Sequence, residues 1–248
     1  MGVACGIVGL PNVGKSTLFS AFTATPADRA IYPFSTTEAN VAIVNVEDER
    51  LQTIRRFIAT ERIVPAALRV VDIPGLAAGA SKGEGMGNKF LGSVKESDAL
   101  LHVVRCFEKG DVLHVSGSVD PVRDMEVIEI ELALADLDTV TRNLERVGKK
   151  AKANDKEAAW HKEVFEKARH ELEAGRQLRQ VPWKKEEREA LKPLFLITMK
   201  PVMFVANVAD DDMDGQGPLA QKVREYAART GCEFVPLCGD IEGEIMKL

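Results

Sequence analysis

Paired cysteines, paired histidines and long apolar runs are all missing from this 248-residue sequence. Its four cysteines (Cys5, Cys106, Cys232 and Cys238) form no C-x-x-C, and most sit in apolar runs that read as strands, so reduced core thiols are expected. Among the four histidines, His161 and His170 share a charged segment, but nine residues is no ligand spacing on one helix, and a structural zinc site is not expected. No apolar stretch reaches the ~18 residues needed to cross a bilayer, and the N-terminus lacks a signal-peptide pattern; a soluble, cytoplasmic protein without a membrane partner is expected. Positive charge is also in short supply. Thirty-three Lys and Arg against 38 Asp and Glu leave a net charge of -5, which argues against a surface that binds nucleic acid through bulk positive charge, so no direct DNA binding is expected and there is room only for a local basic patch. Internal repeats and low-complexity tracts are absent too. What remains, 45 % hydrophobic and 29 % charged residues, is the composition of a chain that folds into one or two globular domains.

Six short apolar runs carry the β-branched content of buried strands: Ala4 to Val8, Val41 to Val46, Ala67 to Ile73, Ala99 to Cys106, Pro201 to Ala206 and Glu233 to Cys238. Helical patterns at Ser16 to Thr23, Asp48 to Ile58 and Gly87 to Glu96 alternate with them. That alternation predicts an α/β fold with a mainly parallel sheet. Between Glu131 and Pro193 the rhythm breaks, with 15 basic and 13 acidic residues in 63. There Ile130, Leu134, Leu137, Thr141 and Leu144, then Phe165, Ala168, Leu172 and Gly175, follow a four-three spacing. Two amphipathic helices turning at Lys152 to Lys156 are predicted, an antiparallel coiled-coil arm inserted into the sheet domain. The expected division is residues 1–127 and 199–248 for the sheet domain and 128–198 for the arm. The net charge of +2 from Glu131 to Pro193, against -7 for the remainder, makes the arm the better anionic contact.

Gly9-Leu10-Pro11-Asn12-Val13-Gly14-Lys15-Ser16 is a complete G-x-x-x-x-G-K-[ST] pattern, set between an apolar strand and a helical stretch. A chance match in such a chain is on the order of one per cent. Glycines let backbone N-H groups curl round phosphate oxygens, the helix N-terminus adds partial positive charge, Lys15 can reach the β and γ phosphates, and the Ser16 hydroxyl can take Mg²⁺. The nucleotide contacts expected on this loop are Asn12, Val13, Gly14, Lys15, Ser16 and Thr17. Its glycine spacing is not that of a dinucleotide-binding oxidoreductase.

Asp72 ends an apolar strand in Val70-Val71-Asp72-Ile73-Pro74-Gly75, where it can hold Mg²⁺ through water while the Gly75 N-H meets a γ-phosphate. Together with the phosphate loop, this D-x-x-G gives the design of GTPase-like switches. Thr36, in Pro33 to Glu38, is the expected hydroxyl that completes the Mg²⁺ shell in the triphosphate state. Asn207, Val208 and Asp210 stand where an N-K-x-D base-reading signature belongs, with Val208 in the lysine position. A carboxylate can accept both guanine donors, and adenine lacks the 2-amino group, so these residues leave the base open.

GIVGLPNVGKSTLF, DIPGLAAGASKGEGMGNKFL, HVVRCFE, ELALADLD and KPVMFVANV together resemble the YchF-type Obg-like ATPases, a branch of the translation-factor class of P-loop NTPases, from Met1 to about Cys238. The resemblance implies a G-domain, a helical coiled-coil insertion and usually a C-terminal TGS domain, which is expected to be missing from these 248 residues. It also implies ATP hydrolysis with ribosome association and stress-related translational control. Asp210 stands where the family has Glu, which moves the chain toward a guanine-reading pattern. Leu76 matches the family's hydrophobic replacement of the water-orienting glutamine, so basal turnover should be slow. His114, in Val112-Leu113-His114-Val115-Ser116-Gly117, is the candidate catalytic group that orients water, beside Lys15 and Gly75. The Asn12 amide oxygen is a candidate support for K⁺ against the phosphates. The expected activity is thus a Mg²⁺-dependent ATPase switch, with a GTPase of the same fold or a nucleotide-gated binding module as alternatives.

Overall fold

Six of the apolar runs become strands in a computed structural model that describes residues 2–23, 40–73, 86–108, 114–152 and 155–245. They are β1 (Val3–Val8), β2 (Asn40–Val46), β3 (Ala66–Asp72), β4 (Ala99–Cys106), β5 (Val202–Val208) and β6 (Glu233–Leu237). Their order is β2-β3-β1-β4-β5-β6, with β2 antiparallel to β3 and every other pair parallel. Parallel strands that cross over through helices bring their carboxyl ends to one edge, so Val8, Asp72, Cys106 and Val208 end side by side although they are far apart in sequence. The sheet core includes Ile7, Ile73, Val103 and Phe204, all nearly inaccessible.

Three helices follow the first strands: α1 (Lys15–Thr23), α2 (Glu49–Arg55) and α3 (Met86–Glu96). The arm is built from α4 (Pro121–Ala151) and α5 (Lys156–Glu173), followed by α6 (Lys185–Leu191), and α7 (Pro218–Thr230) and α8 (Gly239–Ile245) return to the sheet. Asp120 caps α4 by accepting from the Arg123 N-H, with Pro121 in the first turn where its missing donor costs nothing. Asp155 caps α5 through the Ala158 N-H at 3.0 Å. With only four residues between α4 and α5, the chain must double back, which makes the hairpin antiparallel.

The predicted α4 seam needs correction. Ile130 is 57 % exposed, and of the five expected positions only Leu144 is buried. The helix begins at Pro121 and serves two cores in succession. Met125, Ile128, Leu132 and Ala135 pack into the sheet core; Val140, Leu144 and Val147 then face Val164, Phe165, Ala168 and Leu172 in a separate arm core. A single heptad register cannot describe both faces. Gly175 lies beyond the end of α5, at φ 74°, where a left-handed residue ends the helix. The expected boundary at residue 128 therefore falls inside one continuous helix.

Buried acids fasten α4 to its surroundings. Glu129 accepts the Tyr226 hydroxyl at 2.6 Å and pairs with Arg179, while Gln177 donates to the Glu129 carbonyl at 3.2 Å. Asp136 accepts from the Ile197 and Thr198 N-H groups at 2.9 and 2.7 Å and from the Thr198 hydroxyl at 2.7 Å, fixing the chain that re-enters the sheet at β5. All four cysteines are free, and burial pushes the Cys106 thiol up to about 12. Among the described residues, no helix is long and apolar enough to cross a membrane.

Candidate nucleotide site

The loop from β1 to α1 is held open by backbone conformations that glycine permits. Gly14 has φ 98°, and a Cβ there would land on the Asn207 amide nitrogen; at Gly9 a Cβ would sit 2.5 Å from the Val103 carbonyl oxygen. Asn12 takes a left-handed φ of 64°, a conformation tolerated by asparagine. The Lys15 ammonium curls back to donate to the Leu10 carbonyl at 2.6 Å. Burial lowers its pKa from the ordinary lysine value to about 8, partly opposed by Asp72.

Asp72, at the tip of β3, accepts from the Ser16 hydroxyl at 3.4 Å. Burial pushes its carboxyl above the usual range, while Lys15, Ser16 and Asn40 pull it back. Its Oδ1 is buried with no hydrogen-bond partner among the described residues. A buried carboxylate oxygen without a partner among the described residues, beside a serine hydroxyl at a helix N-terminus, fits a hydrated Mg²⁺ that would take its remaining ligands from phosphates. Among the described residues, no group of three or more His, Cys, Asp or Glu side chains could hold a metal alone, so phosphate oxygens would have to contribute.

Two neighbouring cavities lie here, the first of them against this loop. One, about 300 Å³, is lined by Asn12, Gly14, Lys15, Ser16 and Thr17 together with Phe107, Asn207 and Asp240. The second, about 400 Å³, shares Phe107, Asn207 and Asp240 and adds Glu108, Val208, Ala209, Asp210, Cys238, Ile241 and Glu244. The first has the lining of a phosphate pocket, and the second is concave enough for a base. Val13 is buried and contributes its carbonyl, which accepts from Asn207 Nδ2 at 2.9 Å. The Asn207 Oδ1 in turn accepts the Gly239 N-H at 2.9 Å. This carboxamide is occupied at both ends and ties the phosphate loop to the start of α8. Asp210 faces the second cavity, whereas Asp212, from the same acidic triplet, accepts the Gln216 and Gly217 N-H groups at 2.8 Å and shapes the turn.

His114 lines neither cavity. Its Nε2 lies 2.7 Å from Asp124 Oδ2 with both side chains buried, and its Nδ1 accepts the Ser116 N-H at 3.1 Å, an arrangement that suits the neutral Nε2-H tautomer. Thr36, Gly75 and Leu76 lie outside the described residues. Sequence reasoning missed Phe107 and Asp240. Phe107 follows β4, with the Arg105 guanidinium 4.6 Å from its ring centroid and Arg105 Nε donating to its carbonyl at 3.1 Å. Its place just after a strand that ends beside the phosphate loop was the available signal.

Residues 4–157 match the family model described as 50S ribosome-binding GTPase. The chain is 49 % identical to the ribosome-binding ATPase YchF of Haemophilus influenzae and 46 % identical to that of Bacillus subtilis, covering all of this chain and 68 % of each relative. It is similar in structure to a Schizosaccharomyces pombe protein described as the YchF GTPase, with a TM-score of 0.80 and 34 % identity over the whole chain and 68 % of that protein. The phosphate loop, the mainly parallel sheet and these similarities lead to one assignment: the chain belongs to the YchF family of P-loop nucleotide hydrolases.

Proposed function

We propose that the protein is a Mg²⁺-dependent ATPase that works in the cytoplasm as a slow nucleotide switch on ribosomes. The observation that carries this reading is the cluster of Lys15 and Ser16, which line the smaller cavity, with Asp72, which accepts from the Ser16 hydroxyl and keeps one buried carboxylate oxygen without a partner among the described residues. Lys15 and the N-H groups from Asn12 to Thr17 hold the phosphates. Ser16 and Thr36 ligate Mg²⁺, Asp72 supports it through water, and the Gly75 N-H meets the γ-phosphate. The metal supplies charge neutralisation at the phosphates when bound. We assign residues 1–127 and 199–248 to the nucleotide domain and 128–198 to the arm that senses its state. The relatives named ribosome-binding ATPases support both ATP and the ribosome, and the loss of the lysine from the base-reading signature at Val208 supports ATP. A GTPase is the second reading, favoured by Asp210 facing the base cavity and by the name given to the fission yeast relative.

Side-by-side calorimetric titration with ATP and GTP, with Mg²⁺ and K⁺ present, is expected to show at least tenfold tighter ATP binding, a difference of ~1.4 kcal/mol. The reverse order would make Asp210 a guanine reader and the chain a GTPase. Equal hydrolysis rates in K⁺ and Na⁺ would remove the cation role from Asn12. Negligible hydrolysis even with ribosomes and K⁺, alongside micromolar nucleotide binding, would favour a nucleotide-gated binding module.

For His114 to orient water, its ring must leave Asp124 and swing toward the phosphates. The His114→Ala variant is expected to bind nucleotide normally and to hydrolyse it about 10²-fold more slowly. Hydrolysis at the parent rate would confine His114 to its structural contact with α4.

A further inference from the structure

Asp124 stands in the first turn of α4 and is only 3 % exposed, and an aspartate is rarely buried so fully unless it is paired. The helix does not demand its burial, because Asp120 already serves as the cap. Both of its oxygens are in use. Oδ1 accepts from Arg123 Nη2 at 3.0 Å and from Arg123 Nε at 3.2 Å, while Oδ2 lies 2.7 Å from His114 Nε2. Arg123 is fixed in turn, since its Nη2 donates to the Ser118 carbonyl at 2.6 Å and its Nη1 to the Ser118 hydroxyl at 3.2 Å. The segment from His114 to Ser118 is thereby fastened at both ends to the start of α4.

The imidazole has no nitrogen to spare in this position. Its Nε2 carries the proton shared with Asp124, and its Nδ1 accepts the Ser116 N-H at 3.1 Å. A group that orients an attacking water must come within hydrogen-bond distance of that water. The His114 side chain is 4 % exposed and lines neither nucleotide cavity. Asp124 also communicates with those cavities by a second route. Arg105, buried near the end of β4, has its guanidinium 4.6 Å from the ring centroid of Phe107, which lines both of them. Burial lowers the Arg105 pKa, and the charges of Asp124 and Glu108 oppose that shift. One carboxylate thus faces two cations, Arg105 and Arg123, as well as the imidazole.

From these contacts we infer that Asp124 is a positioning residue: it latches His114 in a resting place outside the phosphate pocket, and turnover waits for the latch to open. The inference rests on the reading of His114 as the water-orienting group and goes beyond it by naming what keeps that group away. Slow basal hydrolysis then reflects the small fraction of molecules whose imidazole is released. A partner that accelerates hydrolysis needs to add no side chain to the site, since opening the latch is enough. A merely structural pair would stabilise the start of α4 and leave kcat alone.

The test is steady-state ATP hydrolysis by the whole chain with Mg²⁺ and K⁺ and no partner. Asp124→Asn keeps the shape of the side chain and removes the charge that holds His114 and Arg123. Its kcat is expected to rise about tenfold, the gain open to a group released less than about 10 % of the time. KM should be unchanged, because Asp124 lines neither cavity. The rise should require the imidazole, so His114→Ala and the double variant His114→Ala with Asp124→Asn should hydrolyse equally slowly. Nitrogen-15 spectra of labelled histidine give a reading independent of turnover: the parent should show a neutral Nε2-H tautomer with a slowly exchanging ring proton, and Asp124→Asn should lose that protection. If this variant does not fold, Arg123→Ala, which loosens Oδ1 and the Ser118 end of the segment, should give a smaller rise that again needs His114. A kcat at or below the parent value in the folded variants, a rise that persists without His114, or a freely exchanging ring proton in the parent would overturn the latch while a slow His114→Ala keeps His114 in the mechanism. Parental hydrolysis in His114→Ala would instead remove His114 from the mechanism, and the latch with it.

Discussion

Lys15→Met is expected to abolish triphosphate binding without weakening the fold at neutral pH. The loss follows from position, because Lys15 is the side-chain cation lining the smaller cavity. One such donor directed at a phosphoryl group is worth about 10²–10³ in rate, with a comparable loss in affinity. The stability argument runs the other way. Burial lowers the lysine from its ordinary 10.5 to about 8, so at pH 7 the folded state carries a charge it disfavours by ~3 kcal/mol. Between pH 8 and 10.5 the folded protein binds fewer protons than the unfolded chain, so this lysine makes stability rise with pH across that window. Methionine removes the charge but leaves the Leu10 carbonyl without its partner, a cost of ~1–3 kcal/mol. The net change should lie between nothing and a gain of ~2 kcal/mol at pH 7, and that advantage should shrink toward pH 10.5. Calorimetry with ATP and thermal melts at pH 7 and 10 check both halves. Binding within tenfold of the parent, or a loss of several kcal/mol at pH 7, would count against this account.

Asn207→Ala should be nearly as severe for a different reason. It strips the partner from two buried backbone groups at once, the Val13 carbonyl and the Gly239 N-H, at ~1–3 kcal/mol each. A loss of ~2–5 kcal/mol is expected in denaturant titrations. Nucleotide affinity should fall with it, because the phosphate loop is no longer tied to the start of α8. ATP and GTP should weaken by similar factors, since both ends of the carboxamide already hold protein atoms. A loss confined to one nucleotide would show that the amide reads the base.

Much of the fold was legible because its strands are short apolar runs with turn signals at their ends. The phosphate loop was legible because its chemistry is contiguous in sequence. The base cavity was not: Phe107, Asp210 and Asp240 are neighbours only because β4, β5 and β6 lie side by side with their carboxyl ends aligned. Asp210 could be placed from its spacing to Asn207, whereas nothing local marks Asp240. The α4 seam was misread at Ile130 because periodicity reports that a helix has an apolar face and cannot report that its partner changes halfway along. His114 shows the same limit. Asp124 lies ten residues away, and no spacing rule predicts that its carboxylate holds the imidazole.

The unbroken run of α4 also has a mechanical meaning. At 1.5 Å per residue its 31 residues form a rod about 46 Å long, held over its first half by the His114 and Asp124 contact, by Glu129 and by Asp136, and packed against α5 over its second. A tilt of about 5° at one end carries the other through about 4 Å. One unbroken helix has no hinge along its length to absorb such a tilt, so the two cores that α4 serves, one in the sheet domain and one in the arm, are joined by a stiff member.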